Sequence, residues 1–539
     1  MIRNITVMSV KVNFKKSYYR WLFGGMGFHN SEVSMTPMMS DKFLNERVIK
    51  AYREISPTFS RLFAGFGDWT EEAMEHFAAY YHKTFAQNDC SIYMVPWRLP
   101  HRIYESDEEM AEWAENVARK LHHVIRDKNC PLIRYYCLTN ELATDITWAK
   151  YGDDLDRFKR HSKMLFDAFH KYELENVGLV STDSSGTGNF KHIDWAIKNM
   201  DSITDIYCTH HYGNDGRKTN TEFYYYFRDL ISDMVQKCKG RQKRFILGEF
   251  GMHTTWGQSS IMMPDVPDGF LDPAEEAKTA FTCCVKALAS MNAGAYATVY
   301  WTMVDYPDPY IIDDGHTPEA KARHEVGRFT GWNTAIRYNK NGMIHWTNDG
   351  DYNANAYMYS MGLMARYFRK NSCVLEFDSS DESVICGGTV NLDGSYSYCI
   401  MNCAGEAREI DFSTEYTTDK PFRMFTYDSA NVPYNDFGDF QDFENVKPNE
   451  NGDVHIMLPP SSMVILTTDY KNRTPSAVSV TSVSEDRITW AASRDAEHCY
   501  YRVFEDGKQI GSTVAEYLER CTKPNAIYTV KSVDKFGNI

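Results

Sequence analysis

The sequence predicts an α/β protein: a (β/α)8 barrel followed by a β-sandwich and a third, smaller β-domain. Three observations carry this. Eight short apolar runs alternate with amphipathic helical stretches between about residue 20 and residue 370. Polar residues able to do chemistry stand at the ends of several of these runs, which is where a parallel barrel builds its site. From Ser372 the pattern changes to short alternating strands separated by turn residues. A doubly wound sheet is the alternative for the first part. The count of eight, with polar residues on several strand ends, favours the barrel.

The eight expected strands are Trp21–Gly25, Pro57–Phe63, Ser91–Pro96, Leu132–Thr139, Asn176–Ser181, Thr204–His210, Arg244–Glu249 and Ala297–Thr302. Between them, Asp107–Arg126 places Met110, Trp113, Ala114, Val117, Leu121 and Val124 on one helical face, and Asp154–Tyr172 and Asp272–Met291 read similarly. Gly24–Gly27 reads as a tight turn after the first strand, because it lacks the lysine of a phosphate loop. Long connections follow the seventh strand (His253–Pro273) and the eighth (Met303–Trp346), and the helical stretch Tyr357–Arg369 closes the barrel. Residues 1–370 are thus assigned to the barrel. Residues 371–471 form the sandwich, with strands at Val374–Phe377, Ser383–Cys386, Tyr396–Asn402, Phe422–Tyr427, Val454–Leu458 and Met463–Thr468. Residues 472–539 form the last β-module, which resembles a fibronectin type III domain.

With 539 residues the chain is too long for one core. Its net charge of −15 argues against nucleic acid or an anionic membrane as partner and fits a neutral or cationic one. No run of about 18 apolar residues exists to span a bilayer. Aromatic residues make up 14% of the chain, which large cores account for first and which is also compatible with stacking on sugar rings. The thirteen cysteines are scattered without pairing spacings and read as reduced thiols. Met1–Val7 alternates like a strand and lacks the apolar core of a signal peptide, so the expected location is cytoplasmic.

Glu141 and Glu249 each end a buried apolar run, and a carboxylate there is costly unless it has a task. They lie 108 residues apart, or three βα units of about 36 residues, which places them on the fourth and seventh strands. Those strand ends face each other across a barrel mouth. Two opposed carboxylates are the minimum needed to break a glycosidic bond. The dipeptide Asn140-Glu141 and the lone Glu249 resemble the pair in clan A glycoside hydrolases. The resemblance extends to Arg61 on the second strand, His210-His211-Tyr212 on the sixth and Trp301 on the eighth. With the sandwich ending Leu458–Leu466, the chain looks most like family 39, with families 5, 30 and 51 as relatives.

The resemblance implies that Glu249 is the nucleophile, held ionised by Tyr212 and Arg61. It implies that Glu141 is the acid/base, which begins protonated, donates to the leaving oxygen and later takes a proton from water. It further implies that Asn140 binds the sugar 2-hydroxyl, that His210 and Tyr212 support the nucleophile, and that Trp301 stacks on the sugar. His29 after the first strand and Trp97 after the third are the favoured additional sugar contacts. Adjacent His210 and His211 point to opposite faces of a strand, which speaks against a shared metal site; neither metal nor cofactor is expected. The expected activity is retaining hydrolysis, exo-acting on oligosaccharides. An endo-glycanase with an open cleft and an inactive carbohydrate-binding protein are the alternatives. The C-terminal β-domains either brace the barrel or mediate self-association, so a homo-oligomer stays open.

Overall fold

A computed structural model describes residues 8–30, 33, 39–96, 99–142, 151, 154–185, 190–213, 215–252, 273–304, 342–346, 352–416, 420–450 and 452–539. Its first strand, β1 (Met8–Phe23), lies outside the barrel. The barrel strands are β2 (Gly25–His29), β3 (Phe59–Phe63), β4 (Ser91–Val95), β5 (Ile133–Tyr136), β6 (Gly178–Leu179), β7 (Ser184–Ser185), β8 (Ile206–Tyr212), β9 (Arg244–Gly251) and β10 (Ala297–Tyr300). All pair in parallel, in the order β6-β5-β4-β3-β2-β10-β9-β8-β7. β6 and β7 are two pieces of one fifth strand. A parallel bridge between Val180 and Ile206, with Asp205 N–H donating to Leu179 O, closes the ring at eight staves. The barrel interior is packed by Phe59, Tyr93, Val95, Cys137, Val180, Ile206, Cys208, Ile246, Ala297 and Val299, all buried. It is therefore a core with a site at one end.

Helices follow the strands as a (β/α)8 plan requires. Asp107–Arg126, Leu155–Lys171 and Pro273–Asn292 form within a residue of their expected bounds. Ser106 caps the first of these by accepting from Glu109 N–H, and Met110, Trp113, Val117, Leu121 and Val124 form its buried stripe. The described residues contain no helix long and apolar enough to cross a membrane.

The first barrel strand differs from expectation. Trp21–Gly25 was the expected stave, with Gly24–Gly27 as the turn after it; the stave is β2, and Trp21 ends up 54% exposed on β1. A Cβ on Gly27 would collide with Phe59 O, so the glycines allow β2 and β3 to approach closely. The domain boundary also moves. β1 pairs antiparallel with β13 (Ser372–Ser379) and parallel with β16 (Arg408–Thr414), so residues 8–23 belong to the second unit. The physical reason is the period of two in Val10, Val12 and Phe14, which send one fully buried face into the sandwich core.

A hairpin of β11 (Ile344–Trp346) and β12 (Tyr352–Ala354) and helices Ala356–Tyr359 and Met361–Tyr367 lead into that unit. Its remaining strands are β14 (Val384–Val390), β15 (Tyr396–Asn402), β17 (Phe422–Asp428), β18 (Glu444–Val446), β19 (Val454–Leu458) and β20 (Ser462–Thr467). They form one nine-stranded sheet, β18-β17-β20-β15-β14-β13-β1-β16-β19, wrapped around its own core. Successive residues on the central strands face different cores. Tyr398, Ile400, Val464 and Leu466 point into the sandwich, whereas Cys399, Met401, Met463 and Ile465 join the barrel's outer layer. Burial on both faces explains the unbroken apolar run Met463–Leu466.

The last module has two three-stranded sheets, β21 (Val480–Val483), β22 (Arg487–Trp490) and β25 (Tyr517–Glu519) against β24 (Lys508–Thr513), β23 (His498–Glu505) and β26 (Tyr528–Asp534). They enclose Ile488, Trp490, Tyr501, Val503, Ile510, Leu518 and Val530. A buried ion cluster fastens this module to the rest. Lys50, on a barrel helix, meets Glu54 at 2.6 Å and Asp439 at 2.5 Å; Arg502 of the module meets Asp439 at 3.1 Å, and Tyr500 donates to Glu54 at 2.8 Å. All thirteen cysteines are unpaired.

Lys50→Met strips both buried carboxylates of a cation. We expect it to lower the free energy of unfolding by about 3 kcal/mol, measured by chemical denaturation. A loss within error of zero would show that the cluster does not hold the module.

Candidate active site

The register aligns polar side chains in one layer around the barrel mouth. His29 pairs with Arg61, Arg61 with Tyr93, Ser185 with His210, and His210 with Glu249. Glu141 follows β5, Asp183 lies between β6 and β7, and Trp301 follows β10. All stand at the C-terminal ends of their staves, the face on which barrel enzymes place their chemistry.

Arg61 is fully buried and reaches four partners. Its Nη1 donates to Glu249 Oε1 and to His29 Nδ1 (3.0 Å), and its Nη2 donates to Asn140 Oδ1 (2.6 Å) and Asp183 Oδ2 (2.6 Å). Glu249 also accepts from the Tyr212 hydroxyl at Oε2, 2.6 Å away. Each carboxylate oxygen thus has a donor, and these bonds favour the ionised form. Burial is the largest influence on Glu249 and raises its carboxyl above the ordinary value; His210, Arg61 and Tyr212 pull it back, and Glu141 adds to the rise. The two donors act in the direction the sequence suggested, but burial outweighs them.

His210 bridges three acids. Its Nε2 bonds Asp183 Oδ1 at 2.9 Å, and its Nδ1 bonds Glu141 Oε1 at 3.0 Å and lies 3.5 Å from Glu249 Oε2. It therefore sits closer to Glu141 than to the expected nucleophile. Burial alone would neutralise this imidazole, but Asp183 and Glu249 override burial and push its pKa up to about 10. Its neighbour His211 faces the other way, bonded to Asp215 at 2.8 Å and packed on Phe227. Behind it, buried Lys286 donates to the carbonyls of His211, Gly213 and Gly251, tying the ends of β8 and β9 together.

Asp183 and Tyr93 were missed by the sequence reading. Asp183 is wholly buried and accepts from Arg61, His210, Tyr93 (2.7 Å) and Cys208 (3.0 Å). Burial would raise its carboxyl; the Arg61 and His210 charges reverse that and hold it well below the carboxylate range. The signal was present in Val180-Ser-Thr-Asp183, an acid just past an apolar run, as with the two glutamates. Asp183 and Glu141 both leave their strands through left-handed backbone, at φ 43° and 46°, a conformation that costs about 1 kcal/mol or more for a side chain of this kind. Gly248 completes the packing: a Cβ there would strike Cys208 Sγ.

An oxygen of Glu141, an oxygen of Glu249 and a nitrogen of His210 lie within 4.8 Å of one another, as do ligand atoms of Asp183, Cys208 and His210. Such sets can hold metals. Here the Arg61 guanidinium already bonds two of the carboxylates, and His210 carries positive charge, so the donor set is neutralised from within. Trp301, His29 and Phe63 form an aromatic wall, with the His29 ring 4.4 Å from Trp301 and 4.2 Å from Phe63. Burial and Arg61 keep His29 neutral, well below its ordinary pKa. Of the expected site residues, Glu141, Glu249, Arg61, Asn140, His210, Tyr212, Trp301 and His29 come together; Trp97 lies outside the described residues, as do most of the long connections after β9 and β10.

No protein-family model matches the sequence, and no curated protein does. Solved structures share its architecture. SrfJ from Salmonella typhimurium aligns over 87% of this chain and 94% of its own at a TM-score of 0.58 and 12% identity. The family 30 subfamily 8 xylanase of Clostridium acetobutylicum aligns over 85% and 99% at 0.56 and 12% identity. The family 51 arabinofuranosidase of Xanthomonas axonopodis pv. citri aligns over 85% and 99% at 0.53 and 13% identity. The fold is one found among glycoside hydrolases. Families 30 and 51 are among the relatives that the sequence resemblance named.

The raised pKa of His210 has a consequence for stability. A histidine whose folded pKa of about 10 exceeds its unfolded value of about 6.5 stabilises the fold fully below pH 6.5, and the contribution is lost as pH rises through 10. The difference in unfolding free energy between wild type and His210→Gln should therefore be larger at pH 6 than at pH 10. A pH-independent difference would contradict a protonated His210.

Proposed function

We propose that this chain is a retaining glycoside hydrolase. The observation that carries the reading is the close approach of Glu141 and Glu249 on opposed staves, with an oxygen of each within 4.8 Å. Retaining enzymes hold their carboxyls about 5–5.5 Å apart, whereas inverting enzymes need about 6.5–9.5 Å to admit a water. Glu249, engaged by Arg61 and Tyr212, attacks the anomeric carbon as Glu141 delivers its proton to the glycosidic oxygen. The leaving alcohol departs and a glycosyl ester forms on Glu249. Water then attacks the same carbon, Glu141 takes its proton, and the ester bond breaks to restore the Glu249 carboxylate. Trp301, packed beside His29 and Phe63 at the end of its stave, is the ring assigned to stack on the sugar.

The finer reading is exo action on a short oligosaccharide. Its support is in the sequence: long connections, His253–Pro273 and Met303–Trp346, follow the seventh and eighth expected strands. Endo action on a polymer is the second reading, since a family 30 endoxylanase of Clostridium papyrosolvens shares the fold.

A panel of aryl glycosides and oligosaccharides tests both. Glu249→Ala should lose activity on the order of 10⁴-fold or more. Glu141→Ala should lose about 10²–10⁴-fold on substrates with poor leaving groups and much less on activated ones. Undiminished hydrolysis by Glu249→Ala would refute the nucleophile. Release of long fragments from polymers, with short oligosaccharides left intact, would replace exo by endo action.

A further inference from the structure

We infer that Asp183 is the positioning residue of this site: it fixes Arg61 and keeps His210 cationic, so that one guanidinium and one imidazolium hold the two glutamates in their different roles. The inference rests on the proposed hydrolase reading for the roles, but on geometry alone for the contacts. Asp183 touches neither glutamate. Its Oδ2 accepts from Arg61 Nη2, whose other nitrogen donates to Glu249, and its Oδ1 accepts from His210 Nε2, whose other nitrogen faces Glu141 and Glu249. Both paths from the fifth stave therefore end on the reacting carboxyls.

The groups around His210 come from six of the eight staves. They are His29 on the first, Arg61 on the second, Glu141 on the fourth, Asp183 on the fifth, Cys208 and Tyr212 on its own sixth, and Glu249 on the seventh; Tyr93 on the third reaches it through Asp183. Burial would discourage a charge on His210, so the acids must supply it. Asp183 is the one that bonds Nε2 directly and takes no part in the chemistry. The charges of Asp183, Glu249, Arg61 and His210 cancel, and a dry site tolerates that arrangement best. Asp183→Asn removes one negative charge and turns one of the two accepting atoms into a donor. The amide can no longer accept from both Arg61 and His210, and the imidazole relaxes to a neutral tautomer.

The test follows the His210 ring by NMR across pH 5–9 in the full-length protein, with a His210→Gln sample to assign its signals. In wild type the ring should stay protonated throughout. In Asp183→Asn its midpoint should fall by about two pH units or more, into the titrated range. kcat should drop about tenfold or more with KM changed far less. Tyr93→Phe, which removes a hydrogen bond to the same oxygen and no charge, should leave the midpoint in place. A wild-type ring that titrates below pH 7 would overturn the inference even if Asp183→Asn failed to fold. So would an unmoved midpoint in Asp183→Asn, or an equal shift in Tyr93→Phe. The NMR readout needs no substrate. A shifted midpoint in a protein without glycosidase activity would separate failure of the proposed function from failure of the charge arrangement.

Discussion

The buried contact between Arg61 and the carboxylates of Asp183 and Glu249 is the constraint on which the site depends. Each unpaired charge in such a place would cost several kcal/mol, and removing one member of a buried pair costs about 3–5 kcal/mol. The barrel therefore cannot assemble this mouth piecemeal. Arg61 on the second stave is acceptable because the fifth and seventh staves bring acids to it, and the acids are acceptable because Arg61 is there. His210 adds a second cation on the sixth stave. The same network separates the glutamates chemically. Glu249 is held between a guanidinium and a phenol, whereas Glu141 is met by an imidazole nitrogen.

Support for the mouth extends into the outer layers. Lys286 pins the ends of the two staves that carry His210, Tyr212 and Glu249. Its helix, Pro273–Asn292, packs in turn on the sandwich, where Asn292 donates to Cys386 O and Tyr427 donates to Ala277 O. The second sheet is thus a wall of the barrel's outer core, and β1 runs into it from the N-terminal side of the chain before the first stave begins. The small C-terminal module is attached by ions, hydrogen bonds and the packing of Val514 on the barrel's outer core, and contributes no strand to the sandwich sheet.

Much of this was legible in the sequence. The alternations after the first, the helix Asp107–Arg126 and the strands at Tyr396–Asn402 and Val454–Leu458 are strong periodic signals, and the structure has them at or close to the expected bounds. The two glutamates closing apolar runs were legible in the same way; Arg61, Asn140, His210, Tyr212 and Trp301 came from the resemblance to clan A glycoside hydrolases, and His29 from its place after the first strand. What was missed has physical causes. Aromatic Trp21 mimics a buried strand while lying on an exposed edge, and the glycine-rich β2 mimics a turn because its small residues serve close strand approach. β1 could not be assigned to its sheet because its partners, β13 and β16, lie about 350 residues or more away. Asp183 was overlooked because its strand is broken in two, and only the closed barrel shows that Arg61 and His210 converge on it.

The central claim is that Glu249 becomes covalently bound to the sugar while Glu141 handles the proton. The most direct measurement is incubation with a panel of 2-deoxy-2-fluoroglycosides bearing good leaving groups, which slow breakdown of a glycosyl ester, followed by intact-mass and peptide mass analysis. The account expects one sugar per chain, on the peptide containing Glu249, with its loss on long incubation. An adduct on Glu141 or on another residue would contradict it, as would release of product with inverted anomeric configuration from a natural substrate.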